Sequence, residues 1–313
     1  MKTWRGLRPV RRKLPRVVAT IGVFDGVHLG HQRLLDLAVR RARALRATSV
    51  AITFDPHPQH VLRPSTARPL LTTLAQRLQL IAARGIDVAW VVPFTRALAR
   101  RPPDAFLTGV LRRSLDLREL CVGENFACGK GRVGTVEWLR QAGRAAGVRV
   151  HAVPTLWRDG VRVSSSRVRD AIEAPELARV RRWLGRPHRL VGDVVHGRAR
   201  GRRLGAPTAN LHLQRQVLPP DGVYVVRVTR EGRARRWGGA LNLGRRPTFH
   251  ETRRVAEVHL FDFTGDLYGS TLTVDLLERL RPERRFPSAA ALTAQIARDL
   301  RAARAVLQRQ PRS

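Results

Sequence analysis

The sequence predicts an α/β doubly wound parallel sheet in residues 1–185, followed in residues 186–313 by a small antiparallel β-barrel with a C-terminal helix. Three observations support this prediction. Apolar strands alternate with helical segments as far as residue 184, which is typical of a parallel sheet. Gly185-Arg186-Pro187 then breaks the last helix, and short strands with turns follow, as in small barrels. The length of 313 residues is enough for two separate cores.

The first domain is predicted from continuous apolar runs, which indicate strands that are buried on both faces. The first run ends at Ile21, and a helical stripe containing Leu34, Leu35, Ala38 and Ala42 begins at Gln32. The later predicted strands are Val50–Phe54, Val88–Val92, Leu120–Val122 and Val148–Val153, and the later predicted helices are Leu74–Ala83, Pro103–Leu115 and Glu176–Leu184.

The second domain is predicted from short strands, with a hairpin turn at Glu231-Gly232. A final amphipathic helix, Ser288–Leu307, has Leu292, Ile296, Leu300 and Ala303 on one face and is expected to cover the barrel. The predicted strands are Leu190–Val195, Gly222–Thr229, Trp237–Leu243, Val255–Phe261 and Leu272–Leu277.

The net charge is +35, and almost all of it is arginine, because only Lys2, Lys13 and Lys130 are lysines. A basic surface can attract nucleic acid. However, the arginines are spread along the whole chain without interleaved aromatic residues, so we expect coding bias and no specific nucleic-acid partner. A nucleic-acid-binding protein stays open as an alternative.

The cellular location is predicted from the absence of a recognisable membrane span, signal peptide or metal-binding cysteine motif in the sequence. No apolar run approaches the roughly 18 residues that span a bilayer, and no apolar segment of a signal peptide follows the basic N-terminus. Cys121 and Cys128 have no zinc or redox spacing. We therefore expect a cytoplasmic protein with two reduced thiols and no membrane partner.

The segment Thr20–Leu35, TIGVFDGVHLGHQRLL, is the first candidate site. It predicts a strand, a glycine loop and a helix, and this layout directs backbone N–H groups and a helix N-terminus toward an anion such as phosphate. His28 and His31 lie three residues apart at the helix start, so both can face the same anion. The alternative for each histidine is an ordinary surface residue.

This segment resembles the HxGH signature of nucleotidylyltransferases, in the form found in bacterial bifunctional riboflavin kinase/FAD synthetases. The resemblance implies attack on the α-phosphate of ATP with release of pyrophosphate. It also implies that His28 and His31 are catalytic residues that stabilise charge on the phosphates. The other ATP contacts implied for this loop are Gly22, Phe24, Gly26 and Gly30.

Three later segments match the same family pattern. FDPHP places His57 after a strand end, where ligands of open α/β sheets bind. GENFACGKGRVG supplies Asn125, although Ala127-Cys128 replaces the usual Arg-Phe. VSSSRVR is predicted to form a helix start and resembles the triphosphate-binding motif, with Ser166 in place of threonine. The ATP contacts implied there are Ser164, Ser165, Ser166 and Arg169.

The second candidate site begins with Gly197, Gly201 and Gly205, which allow close approach of the backbone to a phosphate. Pro207 precedes Thr208 and Asn210, whose oxygens are hard ligands suited to Mg²⁺. An arginine- and glycine-rich turn with an Asx-type cap is the alternative. Glu257 should point opposite to Val258 on an alternating strand, and an exposed charged strand face is its alternative.

These segments resemble flavokinase motifs, namely G-x-PTAN, GVY, NLGRRPTF with Asn242, E-x-H and FDFTGDLYG, although Ala206 replaces the usual phenylalanine. The resemblance implies that Thr208 and Asn210 bind Mg²⁺-ATP and that Glu257 is the catalytic base for the riboflavin 5′-hydroxyl. It covers roughly residues 15–307 and implies conversion of riboflavin to FMN and of FMN to FAD. An enzyme with one working half and a transient homo-oligomer both stay open.

Overall fold

The computed structural model describes residues 1–7, 14–196, 207–247 and 252–310. The chain divides into two compact units, Met1–Arg167 and Val168–Ser313. The helix Leu177–Leu184 packs against the first and last strands of the second unit, whereas the sequence analysis assigned this helix to the first domain. The domain boundary after residue 185 stays a prediction.

The first unit is built on a parallel sheet, as predicted. Within the described residues the sheet has six strands in the order β1-β4-β3-β2-β5-β8, and the hydrogen-bonded pairs run parallel. Short antiparallel hairpins, β6–β7 and β9–β10, lie outside it. The strands are β1 Lys2–Arg5, β2 Leu14–Ile21, β3 Thr48–Asp55, β4 Val88–Pro93, β5 Leu115–Gly123, β6 Ala127–Cys128, β7 Gly134–Thr135, β8 Arg149–Val153, β9 Trp157–Arg158 and β10 Val161–Arg162.

Helices cover both faces of this sheet, so the predicted doubly wound arrangement is confirmed. Residues of α1 and α3 pack with Val18 on one face, and residues of α5 and α6 pack with Val17 and Ala19 on the other. The helices before the barrel are α1 Leu29–Ala44, α2 Pro58–Leu62, α3 Leu74–Ala82, α4 Arg96–Ala99, α5 residues 103–114 with Leu107–Leu111 as a π-helix, α6 Val136–Ala145, α7 Ser165–Glu173 and α8 Leu177–Leu184, the last of which packs on the barrel.

Burial on both faces explains why β2 and β3 are continuous apolar runs, because each alternate side chain enters a different core. The sequence analysis missed β1, a short strand with exposed polar side chains that pairs with β4. Trp4 packs edge-on against Trp90, with ring centroids 6.4 Å apart. The indole nitrogen of Trp90 donates to the carbonyl of Gly6 at 2.7 Å. A buried indole therefore holds the N-terminal residues to the sheet.

The second unit is a closed antiparallel barrel, as predicted. The order of its described strands is β11-β12-β15-β14-β13-β16, and the predicted hairpin turn joins β13 to β14. Gly232 in that turn has a φ of 74°, which favours glycine. The strands are β11 His188–Val195, β12 Ala209–Leu213, β13 Gly222–Arg230, β14 Arg236–Pro247, β15 Thr252–Leu260 and β16 Thr271–Pro282.

The last helix, α9 (Ala289–Arg309), packs against the outside of β13, β14 and β16. Ala303 and Val306 are buried there, while the predicted contacts Leu292, Ile296 and Leu300 are half-buried. Asp299 is buried and accepts a hydrogen bond from Arg281 of β16 at 2.8 Å. The predicted cover helix is confirmed. Across the part of the chain that is described, no helix has the length and apolarity to cross a membrane.

Candidate active sites

The loop between β2 and α1 is fixed by Asp25, which is almost fully buried. Its carboxylate accepts the backbone N–H groups of Leu71 at 3.1 Å and Thr72 at 3.0 Å. The hydroxyl of Thr72 accepts the N–H of Gly26 at 3.0 Å. The loop is therefore tied to the segment that leads into α3. The sequence analysis missed Asp25, although an aspartate between two glycines is a turn signal.

Two glycines allow this loop to close tightly. Gly26 has a φ of 80°, and a Cβ there would lie 2.6 Å from a methyl carbon of Leu71. A Cβ on Gly22 would lie 3.0 Å from the ring of Phe24. That buried ring meets the ring of His31 edge-on, with centroids 5.3 Å apart. These contacts give all three predicted residues a role in loop packing, and their contact with ATP stays a prediction.

The two histidines form a stacked pair at the start of α1. His28 is the N-cap, and its Nδ1 atom accepts the backbone N–H of His31 at 3.3 Å. The two rings lie 3.7 Å apart at an angle of 17°. A Cβ on Gly30 would lie 3.1 Å from Cε1 of His28, so the glycine between the histidines leaves room for the ring. The two rings are therefore neighbours at the helix start, and their facing of one anion stays a prediction.

The hydrogen bond at His28 determines which nitrogen carries the proton whenever that ring is neutral. Because Nδ1 is the acceptor, the proton lies on Nε2, which is then a donor. Burial lowers the pKa of His31 well below its usual value, and the nearby His28 and Arg77 lower it further. His31 is therefore neutral at pH 7. The site presents imidazole N–H donors together with the positive end of the α1 dipole, a combination suited to an anion.

Arg77 is near enough to the histidine pair for its charge to act on His31, and the sequence analysis missed it. Its fully buried side chain extends from α3. The Nη1 atom donates to the carbonyl oxygens of Val23 at 3.1 Å and Phe54 at 2.9 Å. Val23 belongs to the histidine loop, and Phe54 belongs to β3. The one available signal is the position of Arg77 between Leu74 and Ile81 on the buried stripe of α3.

The other predicted residues of the first site lie at the ends of other elements. His57 is the N-cap of α2, and its Nδ1 accepts the N–H of Gln59 at 3.1 Å. Asn125 is exposed and donates to the hydroxyl of Thr155 at 2.9 Å. Neither of these two hydrogen bonds reaches the histidine pair.

The hydroxyls before α7 support the predicted helix start. Ser164 accepts the N–H of Arg167 at 3.3 Å, as an N-cap does. Ser165 donates to the carbonyl oxygen of Asp25 at 2.8 Å, which joins this helix start to the histidine loop. Ser166 is exposed, and Arg169 is buried and belongs to the second compact unit.

The two cysteines are free thiols, as predicted. Cys121 is buried in β5, and burial raises its pKa to about 12. Cys128 lies in the β6–β7 hairpin, where burial raises its pKa to about 11. Thiolate is the nucleophilic form, so neither residue has the features of a reactive cysteine.

In the second unit, three predicted residues form a row across neighbouring strands. Glu257 of β15 lies opposite Asn210 of β12 and opposite Asn242 of β14. Directly opposed residues in antiparallel strands share a face. The side chains of all three are half-buried. Val258 points into the barrel core, so the predicted opposite orientation of Glu257 is confirmed.

A cavity of about 320 Å³ lies beside the start of β12. Pro207 and Thr208 line it together with apolar side chains of β15 and the carboxylate-bearing Asp266. Gly197, Gly201, Gly205 and Ala206 lie outside the described residues. In the described ranges no cluster of three or more histidine, cysteine, aspartate or glutamate residues could hold a metal.

Comparison with known proteins gives a consistent result for each unit. The family model described as FAD synthetase matches residues 10–167, and the model described as riboflavin kinase matches residues 184–307. The chain is 40% identical to the bifunctional riboflavin kinase/FMN adenylyltransferase of Pseudomonas fluorescens, over 98% of both chains. It is 39% identical to the protein of the same name from Escherichia coli strain K12, over 90% of both chains.

A solved structure supports the fold over nearly the whole chain. The crystal structure of a Streptococcus pneumoniae protein, described as a macrolide-efflux protein, matches with a TM-score of 0.87 and 29% sequence identity. The match covers 97% of this chain and 99% of that one.

The lowered pKa of His31 predicts how this residue affects stability as the pH changes. Between the usual pKa of about 6.5 and the lowered value, the unfolded chain binds a proton that the folded chain does not. Stability from this group is therefore present above about pH 6.5 and falls on acidification below it. In NMR of histidine-labelled protein, the His31 ring should titrate with a midpoint below the usual value of about 6.5, and His28→Gln should raise that midpoint because His28 contributes to the lowering. A His31 midpoint at or above 6.5 in the unsubstituted protein would contradict this assignment.

Proposed function

The chain belongs to the family of bifunctional riboflavin kinase/FMN adenylyltransferases, and we propose that each compact unit carries one of the two reactions. The enzyme phosphorylates riboflavin with ATP to give FMN and transfers AMP from ATP to FMN to give FAD. The FAD synthetase match ends at residue 167, where the first unit also ends. The riboflavin kinase match lies wholly within the second unit.

We propose that FAD forms at the stacked pair of His28 and His31. An oxygen of the FMN phosphate attacks the α-phosphorus of ATP, the bond from that phosphorus to the bridging oxygen breaks, and pyrophosphate leaves. The attacking phosphate is already anionic, so the step needs no strong protein base. Donors from the two histidines and the α1 N-terminus stabilise the charge that develops on the phosphate oxygens. The observation that supports this most directly is the 3.7 Å stacking of the two rings at the N-cap.

The remaining residues of the first site are proposed as positioning contacts for ATP. Gly22, Phe24, Gly26 and Gly30 shape the loop, and His57 and Asn125 lie at the ends of neighbouring elements. Hydroxyls of Ser164, Ser165 and Ser166, with Arg169 on the same helix, are proposed to bind the triphosphate. The hydrogen bond from Ser165 to the histidine loop supports a shared site for the serines and histidines.

We propose that FMN forms along the row Asn210, Glu257 and Asn242. The Glu257 carboxylate accepts the proton of the riboflavin 5′-hydroxyl as that oxygen attacks the γ-phosphorus of ATP, and ADP leaves. The glycine-rich segment and Pro207 are proposed to approach the phosphates. The cross-strand register, which brings one carboxylate between two amides, supports this proposal.

Magnesium fits the donors that the second unit offers. The hydroxyl of Thr208 and the amide oxygen of Asn210 are hard, neutral ligands, and Mg²⁺ commonly completes its coordination with water and substrate phosphates. We propose that these two residues hold it with ATP. A bound Mg²⁺ would neutralise phosphate charge during phosphoryl transfer. The protein contributes the positions of the two oxygens and of Glu257.

The charge of +35 is proposed to serve no specific nucleic-acid partner, because the arginines are spread over both units. Binding to DNA or RNA should therefore be weak at physiological salt and indifferent to sequence. Filter binding across several sequences and salt concentrations measures this. A nanomolar, sequence-selective complex at physiological salt would overturn the proposal.

Replacing both His28 and His31 by alanine should abolish FAD formation and leave FMN formation largely intact. The donors for the adenylyl transfer are lost, while the barrel keeps its own core. The measurement uses purified protein with riboflavin, ATP and Mg²⁺, with flavins separated by chromatography over time. Unchanged FAD output would remove the histidines from the proposed mechanism.

Glu257→Gln should reduce riboflavin phosphorylation by about 10²–10⁴-fold, the usual contribution of a general base. ATP binding and FAD synthesis from supplied FMN should persist, because glutamine keeps the size of the side chain. Thr208→Ala should instead weaken ATP binding as well. Glu278→Gln, at an exposed position of β16, is the matched control and should phosphorylate riboflavin normally. Phosphorylation by Glu257→Gln within a few-fold of the unsubstituted enzyme would show that the base lies elsewhere.

A further inference from the structure

Arg77 is a buried cation that the proposed mechanism does not use. Its side chain, which extends from α3, is 0% exposed. One nitrogen, Nη1, makes all of its hydrogen bonds, to the carbonyl oxygens of Val23 and Phe54 and to the hydroxyl of Thr53. Among the described residues, Nε and Nη2 have no hydrogen-bond partner.

A buried guanidinium with two nitrogens unpaired among the described residues is expected to lower the stability of the fold. A buried charge is strongly unfavourable unless a hydrogen-bonded counter-ion balances it. No described carboxylate hydrogen-bonds to Arg77, and burial lowers its pKa despite the opposing effect of Asp25 and Asp55. A methionine or leucine would fill the same space without this cost. The position therefore needs an explanation other than packing.

The three acceptors of Arg77 identify what it holds together. Val23 follows β2 in the loop that leads to His28, and Thr53 and Phe54 lie at the end of β3, just before the loop that carries His57. Ligands of open α/β sheets bind at these carboxyl ends of strands. Arg77 thus joins two of the loops that form the proposed ATP site.

Arg77 also acts on the histidine pair through its charge. The charged or titratable groups that lower the pKa of His31 are His28, at the start of α1, and Arg77, on α3. The side of His31 that faces Phe24 is apolar. Asp25 and Asp55 act on Arg77 and oppose the lowering of its pKa. The Nδ1 atom of His31 is buried and makes no described hydrogen bond.

We propose that Arg77 is a positioning residue for adenylyl transfer, which fixes the ends of β2 and β3 relative to each other and supplies a buried positive charge behind His31. The inference rests on the proposed function of the histidine pair. Because Arg77 is fully buried, we expect it to act without touching ATP or FMN. It would hold the two loops in place, and its charge would favour the neutral form of the His31 ring.

The test compares Arg77→Lys, Arg77→Gln and Arg77→Met in the full chain. Lysine keeps the charge and one donor nitrogen, so FAD synthesis should stay within a few-fold of the unsubstituted enzyme. Glutamine and methionine remove the charge, and kcat for FAD synthesis should fall by about 10- to 100-fold, the range expected for misplaced catalytic groups. The KM for ATP should change less than kcat. Riboflavin phosphorylation by the same protein should be unchanged.

The titration of His31 separates a positioning role from a structural one. Without the positive charge, the His31 midpoint should move upward in Arg77→Gln and Arg77→Met, and it should stay in place in Arg77→Lys. The matched control is Arg84→Gln, because Arg84 pairs with Asp36 at the surface, with Nε 2.7 Å from Oδ1. That variant should change neither kcat nor the midpoint.

Two results would overturn the proposal. One is a normal kcat for FAD synthesis with an unshifted His31 midpoint in Arg77→Met. The other is loss of the fold of the first unit in both uncharged variants, measured by thermal unfolding, because Arg77 would then be a stability residue. Failure of the proposed function is distinguishable, since it would appear as FAD synthesis by the double alanine variant of His28 and His31.

Discussion

The hydrogen bonds from the backbone of Leu71 and Thr72 to the carboxylate of Asp25 hold together the loop on which the first site is built. Leaving a buried polar group without its partner costs about 1–3 kcal/mol, so this carboxylate and the segment before α3 require each other. The backbone N–H of Gly26 donates to the hydroxyl of Thr72, and the hydroxyl of Ser165 donates to the carbonyl oxygen of Asp25. Through these bonds, three separate segments of the chain fix where α1 begins and therefore where His28 and His31 lie.

Features set by local sequence could be predicted well. Strands buried on both faces need continuous apolar runs, so β2, β3 and β4 were recognisable without any knowledge of their neighbours. The histidine pair follows from helix geometry, since residues three apart at an N-terminus share a face. The direction of Glu257 follows from its alternation with the buried Val258. In each case the controlling interaction lies within a few residues of the position concerned.

Features that depend on contacts distant in sequence could not be predicted. Arg77 is one polar residue beside Leu78 on an otherwise ordinary helix, and its role appears only when α3 meets the ends of β2 and β3. Strand β1 is too short and too polar to be recognised before Trp90 is known to lie beside it. The row of Asn210, Glu257 and Asn242 needs the strand order β12-β15-β14, which differs from the order of these strands along the chain.

That row has a consequence for how the barrel can vary in evolution. Side chains alternate along a strand with a period of two, so gaining or losing one residue within β12, β14 or β15 would turn the following side chains to the opposite face. Such a change would move an amide or the carboxylate into the apolar core and expose a core residue. Changes in length are therefore compatible with the row mainly between strands, and the barrel tolerates substitutions within these strands more readily than insertions or deletions.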